Sequence, residues 1–166
     1  MDQVGPTNIP LGAQLLLGCC READRANDVA RGLDYLRAAL PESFHSHLIA
    51  LTEEIRASSG LLRSLADRSQ MHMNRVPFMT NYLGVLLPCL SRTLQDITNY
   101  YEDKTVTRET RWRKMYNTMT GEAGGLPLPQ RFVLYNHFLS LLKELLSRYH
   151  PPQFPRPSSQ AVLTMI

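Results

Sequence analysis

The stretch Leu126-Pro-Leu-Pro-Gln-Arg-Phe-Val-Leu-Tyr-Asn-His-Phe-Leu-Ser-Leu-Leu-Lys-Glu-Leu-Leu-Ser-Arg-Tyr149 constrains the fold more than any other part of the chain. Two prolines stop what precedes it, and Pro129 suits a first helical turn, where its missing N–H costs nothing. At about 100° per residue, Leu134, Tyr135, Phe138, Leu139, Leu142, Leu145, Leu146 and Tyr149 share one side, with Phe132 and Leu141 at its margins. Asn136, His137, Ser140, Lys143, Glu144, Ser147 and Arg148 fall opposite. An apolar arc of roughly half the circumference is wider than a two-stranded coiled-coil seam, so this helix is expected to rest against at least two neighbours. At roughly 1.5–3 kcal/mol per large apolar side chain withdrawn from water, the face is expected to be the centre of a bundle.

The other segments repeat the period. Residues 11–40 are helical but diluted by Gly12, Gly18 and Gly32, and Ala26, Val29, Leu33, Leu36 and Leu40 share a side. Pro41 ends that segment. Residues 42–69 then carry Phe44, Leu48, Leu51, Ile55, Leu62 and Leu65 on a narrow stripe, broken by Ser58 where a large residue is expected. Such a gap reads either as close approach of a neighbour or as a weak layer. Beyond a connection over 70–76, a third helix to about Asp103 aligns Met79, Leu83, Leu86, Leu87, Leu90, Leu94, Ile97 and Tyr101. Pro88 lies within it and predicts a kink or break over 84–88. Thr107 is a fair N-cap for a short fourth helix ending near Met119, ahead of the glycine-rich turn 121–125.

No stretch alternates with period two. The expected fold class is therefore all-α, a bundle of four or five helices over residues 11–149. An irregular N-terminus occupies residues 1–10, and a Pro-rich tail, extended or disordered, occupies 150–166. The last six residues of that tail are apolar, and the sequence leaves open whether they dock or stay loose.

A chain of 166 residues buries a sizeable core as one domain, and no run approaches the ~20 apolar residues of a spanning helix. The net charge of +3 is too mild to demand nucleic acid. Three cysteines, Cys19, Cys20 and Cys89, cannot all pair, which favours a reducing, cytoplasmic setting. Cys89, beside the third helix's stripe, reads as a small core residue. Leu16-Leu17-Gly18-Cys19 resembles a lipoprotein cleavage box but lacks the basic segment that should precede it; lipid modification of Cys19 or Cys20 has only proximity to that apolar run in its favour.

Signatures of catalysis and phosphate binding are absent: no phosphate loop, no His-Glu-x-x-His, no Gly-x-Ser-x-Gly and no Cys-x-x-Cys. His45 and His47 point about 200° apart on a helix and cannot share a metal there, while Met71-His72-Met73 reads as packing material sooner than as a copper(I) site. No enzyme activity, cofactor or metal is expected. The most distinctive polar cluster is Arg108, Arg111, Trp112, Arg113 and Lys114, the candidate interaction surface. Read functionally it is a cationic, aromatic face for phosphates, lipid headgroups or an acidic partner. The structural reading, which is favoured, has Trp112, Met115 and Met119 as the buried edge with Arg111, Arg113 and Lys114 as its solvated flank, and Glu109 paired to Arg113.

Leu87-Pro-Cys-Leu-Ser-Arg-Thr-Leu94, Arg111-Trp-Arg-Lys-Met-Tyr116 and Leu126-Pro-Leu-Pro-Gln-Arg-Phe132 with Tyr135 resemble the N-terminal helical region of a group of uncharacterised filamentous-fungal proteins, over roughly residues 43–149. The resemblance implies a helical region followed by more chain, with no activity to transfer, and so a shortened form of a longer protein as one expectation for this sequence. HeLo-like signalling domains are similar in architecture only. The expected function is a non-enzymatic protein-interaction or scaffold module, through a protein partner or self-association. It predicts leftover apolar surface at Tyr35, Ile49, Tyr82, Tyr100 and Val133. The alternative is a membrane surface, met through residues 108–114 and Leu15, Leu16 and Leu17.

Overall fold

The computed structural model describes residues 10–148. Five helices follow one another: α1 (Leu11–Ala38), α2 (His45–Met71), α3 (Val76–Glu102), α4 (Arg108–Glu122) and α5 (Leu128–Arg148). Short 3-10 turns, Glu42–Phe44 and Met73–Arg75, lead into α2 and α3. Among the described residues there is no strand, so the all-α bundle holds. The expected N-terminal irregular segment, apart from Pro10, and the expected tail lie outside the described residues.

The narrow stripes lie where helical periodicity puts them. Ala26, Val29, Leu33, Leu36 and Leu40 are buried on the α1 side, as are Leu48, Leu51, Ile55, Leu62 and Leu65 on α2 and Met79, Leu83, Leu87, Leu90, Leu94 and Ile97 on α3. Together with Trp112, Met115, Met119, Phe132, Leu139, Leu142 and Leu146 they form one continuous core. Its centre is α2, which packs on α1 along one flank and on α5 along the other, and not the C-terminal helix. The reason is visible in α2 itself: its buried set widens beyond the stripe to Thr52, Ser58, Ser59, Ala66 and Ser69, small side chains that let two neighbours approach.

Ser58 therefore marks close approach, and it does so with a polar bond. Its hydroxyl donates to Asn136 Oδ1 across 2.6 Å. The Asn136 amide in turn donates to the Glu54 carbonyl (3.0 Å) and carboxylate (2.8 Å). Ser59 donates to the Ala23 carbonyl of α1 at 2.8 Å. Two adjacent serines thus tie the central helix to both its neighbours.

Three arginines close helix ends that belong to other segments. Arg75 donates to the Leu146 carbonyl (2.6 Å) at the end of α5, Arg111 to the Tyr101 carbonyl (3.2 Å) at the end of α3, and Arg131 to the Met119 carbonyl (2.5 Å) near the end of α4. Each places a cation where orphan carbonyls and the negative end of the helix dipole lie.

Two local expectations need correction. Of the kink or break expected over 84–88, the break is absent, since α3 runs on through Pro88. Proline there removes the bond to the carbonyl four residues back, which belongs to Gly84; Gly84 is exposed, so water reaches that turn and takes the place of the missing donor. α4 continues past Met119 to Glu122 and ends on glycines. Gly124 (φ 65°) donates to the Gly121 carbonyl and Gly125 (φ 91°) to that of Thr120, the pair of bonds of a Schellman stop. Thr107 is the N-cap, accepting from Thr110 N at 3.3 Å.

Helical glycines differ in what they face. Nothing lies within 4 Å of a Cβ built on Gly60, in the interior of α2, so Gly60→Ala should raise the unfolding free energy by about 0.5–1 kcal/mol. A Cβ on Gly32 would fall 2.5 Å from Tyr101 Cζ, so Gly32→Ala should lower it by displacing that ring. Urea denaturation of the two variants, compared with the wild type, checks the opposite signs.

Candidate functional site

The largest departure from helical-wheel reasoning lies on α5. Its buried line is Leu128, Phe132, Leu139, Leu142 and Leu146, with Phe132 fully enclosed instead of marginal. Leu134 (47%), Phe138 (53%) and Leu145 (46%), expected inside, are exposed, and so are Val133 and Leu141. Asn136, expected on the wet side, turns to α2. The apolar arc was broad enough to serve two faces, and the Glu54–Ser58–Asn136 bonds fix which of them points inward. The expectation of at least two neighbours does hold, since α5 meets α2, α3 and α4.

The wet face is one wall of a groove. α3 runs antiparallel to α5, its start held to the α5 terminus by Arg75. Between them Tyr82, Val85, Leu86 and Cys89 of α3 face Leu134, Phe138, Leu141 and Leu145 of α5. Tyr135 and Leu142 line it as well, and its volume is about 730 Å³. The Tyr135 hydroxyl crosses to α3, 3.0 Å from Thr93 Oγ1 and 3.4 Å from the Cys89 carbonyl. Of the lining, only Arg131 carries a full charge, and it is bound to Met119 as described. On α5 the exposed residues recur at i, i+4, i+7 and i+11, the spacing of a stripe that receives another helix.

Cys89 lines this groove and is exposed, which corrects its expected place in the core. The signal for it was its position at the margin of the α3 stripe, where periodicity does not separate inside from outside. Cys19 is buried, and its burial pushes the thiol up to about 12, with the neighbouring Cys20 adding to the shift. Cys20 is exposed on α1. Alkylation of the native protein should therefore spare Cys19, with peptide mass spectrometry as the measurement.

The five residues of the candidate interaction surface do not form one face. Trp112, 4% exposed, packs in the core beside Tyr116, ring centroids 5.4 Å apart, and is withdrawn from any surface role. Its place on the wheel with Met115 and Met119 is the cause. Arg111 is half-buried on the Tyr101 and Val106 carbonyls, joining α3 to α4. Arg113 pairs with Glu109 at 2.7 Å and lies 5.3 Å from the centroid of the Phe44 ring. Arg108 and Lys114 are exposed. Lys114 borders a polar hollow with Arg92, Asp96 and Asp103. There, hydrogen bonds from the Thr105 side chain and backbone hold the Asp103 carboxyl below its usual range, helped by the charges of Lys114 and Arg111.

Other polar clusters are internally paired. Within α1 Arg31 bonds Asp28, and between α1 and α2 Arg56 bonds Asp34 and Arg63 bonds Asp24 at 2.5 Å. These pairs are open to solvent and add little stability each. His45 Nε2 lies 2.9 Å from the Leu40 carbonyl, and among the described residues no group of three His, Cys, Asp or Glu side chains is arranged to hold a metal. Nor is any described helix long and apolar enough to cross a membrane. Of the apolar residues expected to point outward, Tyr35, Ile49, Tyr82 and Val133 are exposed, and Tyr100 is half-buried.

Comparison with protein-family models, with curated proteins and with solved structures finds no match to the chain.

Proposed function

We propose that this chain is a non-enzymatic protein-interaction module, and that the α3–α5 groove is its working surface, receiving an amphipathic helix from a protein partner. The observation that carries this reading is the stripe Leu134, Phe138, Leu141 and Leu145, exposed among the described residues and facing exposed Tyr82 and Val85, whereas the core stripes of α1 and α2 are buried. Contiguous exposed apolar surface between two helices is costly to keep unless something binds there, and a third helix completes the local packing. A setting in the reducing interior of a cell accords with three unpaired thiols. The fungal resemblance belongs to the same proposal, as it brings architecture and no chemistry. Membrane docking through residues 108–114 has less in its favour, because Trp112 is buried and Arg111 and Arg113 are engaged within the fold.

Selection from a display library of helical peptides with randomised apolar positions tests the reading, with the full chain as bait and Phe138→Glu as counter-bait. Enriched peptides should carry apolar residues at i, i+4 and i+7 and bind Phe138→Glu at least tenfold more weakly, as expected for a charge set into the centre of an apolar contact. Enriched peptides that bind both baits alike, or no enrichment, would reject the groove as a docking surface.

A further inference from the structure

The chain beyond Arg148 is long enough to return to the groove. Residues 161–166 read Ala-Val-Leu-Thr-Met-Ile, an apolar block at the far side of a polar, Pro-rich spacer, residues 149–160, and the whole segment lies outside the described residues. It leaves the bundle at Arg148, one turn beyond Leu145, and so at the mouth of the groove between Tyr82 and Leu145. From Leu145 to Leu134 the groove follows α5 for about 16 Å, at about 1.5 Å per residue. An extended block of this length covers roughly 20 Å. The spacer, at about 3.1 Å per residue, reaches roughly 37 Å, enough to turn back and lay the block along the groove. Tethering also holds the block near its site at about millimolar effective concentration, so a weak contact suffices.

We propose that residues 161–166 fold back into the α3–α5 groove of the same chain and cover Tyr82, Val85, Cys89, Phe138 and Leu145, so that a partner helix binds by displacing them. This inference rests on the reading of the groove as the working surface for its consequence, but its test contains no partner and stands or falls separately from the peptide selection.

Cys89 is a built-in reporter, since it lines the groove, while exposed Cys20 lies on α1 and buried Cys19 reports opening of the bundle. The full chain is alkylated with a maleimide, and the rate at each cysteine is read by peptide mass spectrometry. The wild type is compared with Leu163→Asp/Met165→Asp and with the spacer variant Ser159→Asp. The proposal predicts that the double variant labels Cys89 at least fivefold faster, with Cys19 and Cys20 unchanged. Ser159→Asp should behave as wild type, and the wild-type rate should not depend on protein concentration. Equal Cys89 rates in wild type and double variant overturn it. Protection that deepens with protein concentration also overturns it, in favour of a second copy on the groove, as does a rise at Cys89 accompanied by one at Cys19.

Discussion

Replacing Phe132 by alanine should lower the unfolding free energy by about 3–5 kcal/mol, the cost of removing a large aromatic side chain from a closed site. Phe132 has no exposed surface and belongs to the same core as Met119, Leu128 and Leu139; it meets Tyr135 edge to face, with centroids 5.7 Å apart. Its loss leaves a cavity on the inner face of α5 and removes the ring against which Tyr135 is set. Since Tyr135 reaches across to Thr93, the variant should also loosen the junction between α5 and α3. Urea denaturation at a single probe wavelength measures the first effect. Exchange of the α5 amides at their N-terminal half measures the second. A drop under 1 kcal/mol would mean that Phe132 is not enclosed.

The second large effect is expected at Asn136. Its amide joins the Glu54 carbonyl and carboxylate and accepts from Ser58, so the single side chain holds three contacts between α2 and α5. Asn136→Ala removes all three and leaves part of the Glu54 carboxylate without its donor. Hydrogen bonds to charged groups are worth about 1.5–3 kcal/mol each and are not additive within one network, so a total loss of about 2–3 kcal/mol is expected. Asn136→Asp should cost more at neutral pH, because it sets a second carboxylate against Glu54. Ser58→Ala should cost less than either, and the Asn136→Ala/Ser58→Ala double variant less than the sum of the two, which a double-mutant cycle reads directly.

Much of the fold could be read from residue order because most of its stripes are narrow. On α1, α2 and α3, large apolar residues recur on an arc that only one orientation of the helix can bury, so both the helix and its inner face follow. α5 differs: with Leu134, Leu139, Leu142 and Leu146 alike in size and hydropathy, the wheel shows a half-cylinder without showing its centre. Two polar residues held the missing information, Ser58 within the α2 stripe and Asn136 beside the α5 one. Each makes sense only when bonded to the other, a relation between segments 78 positions apart that periodicity does not carry. The arginine caps are hidden for the same reason, being long side chains that end on carbonyls of other helices. At Pro88 the tolerance came from the exposure of the turn at Gly84 to water, where the local pattern showed only a breaker. The groove follows from the α5 orientation, so it became visible only once the inner face was fixed. By contrast, the structural reading of Trp112 was available from its spacing with Met115 and Met119.

α5 carries two apolar faces, one closing the core and one lining the α3–α5 groove. The unfolding free energy of Phe138→Glu separates the two. The ring of Phe138 is half in water, so a carboxylate there should change stability by no more than about 1 kcal/mol, with an unaltered denaturant slope. A loss of 3 kcal/mol or more, comparable with Phe132→Ala, would place Phe138 inside the core and remove the groove.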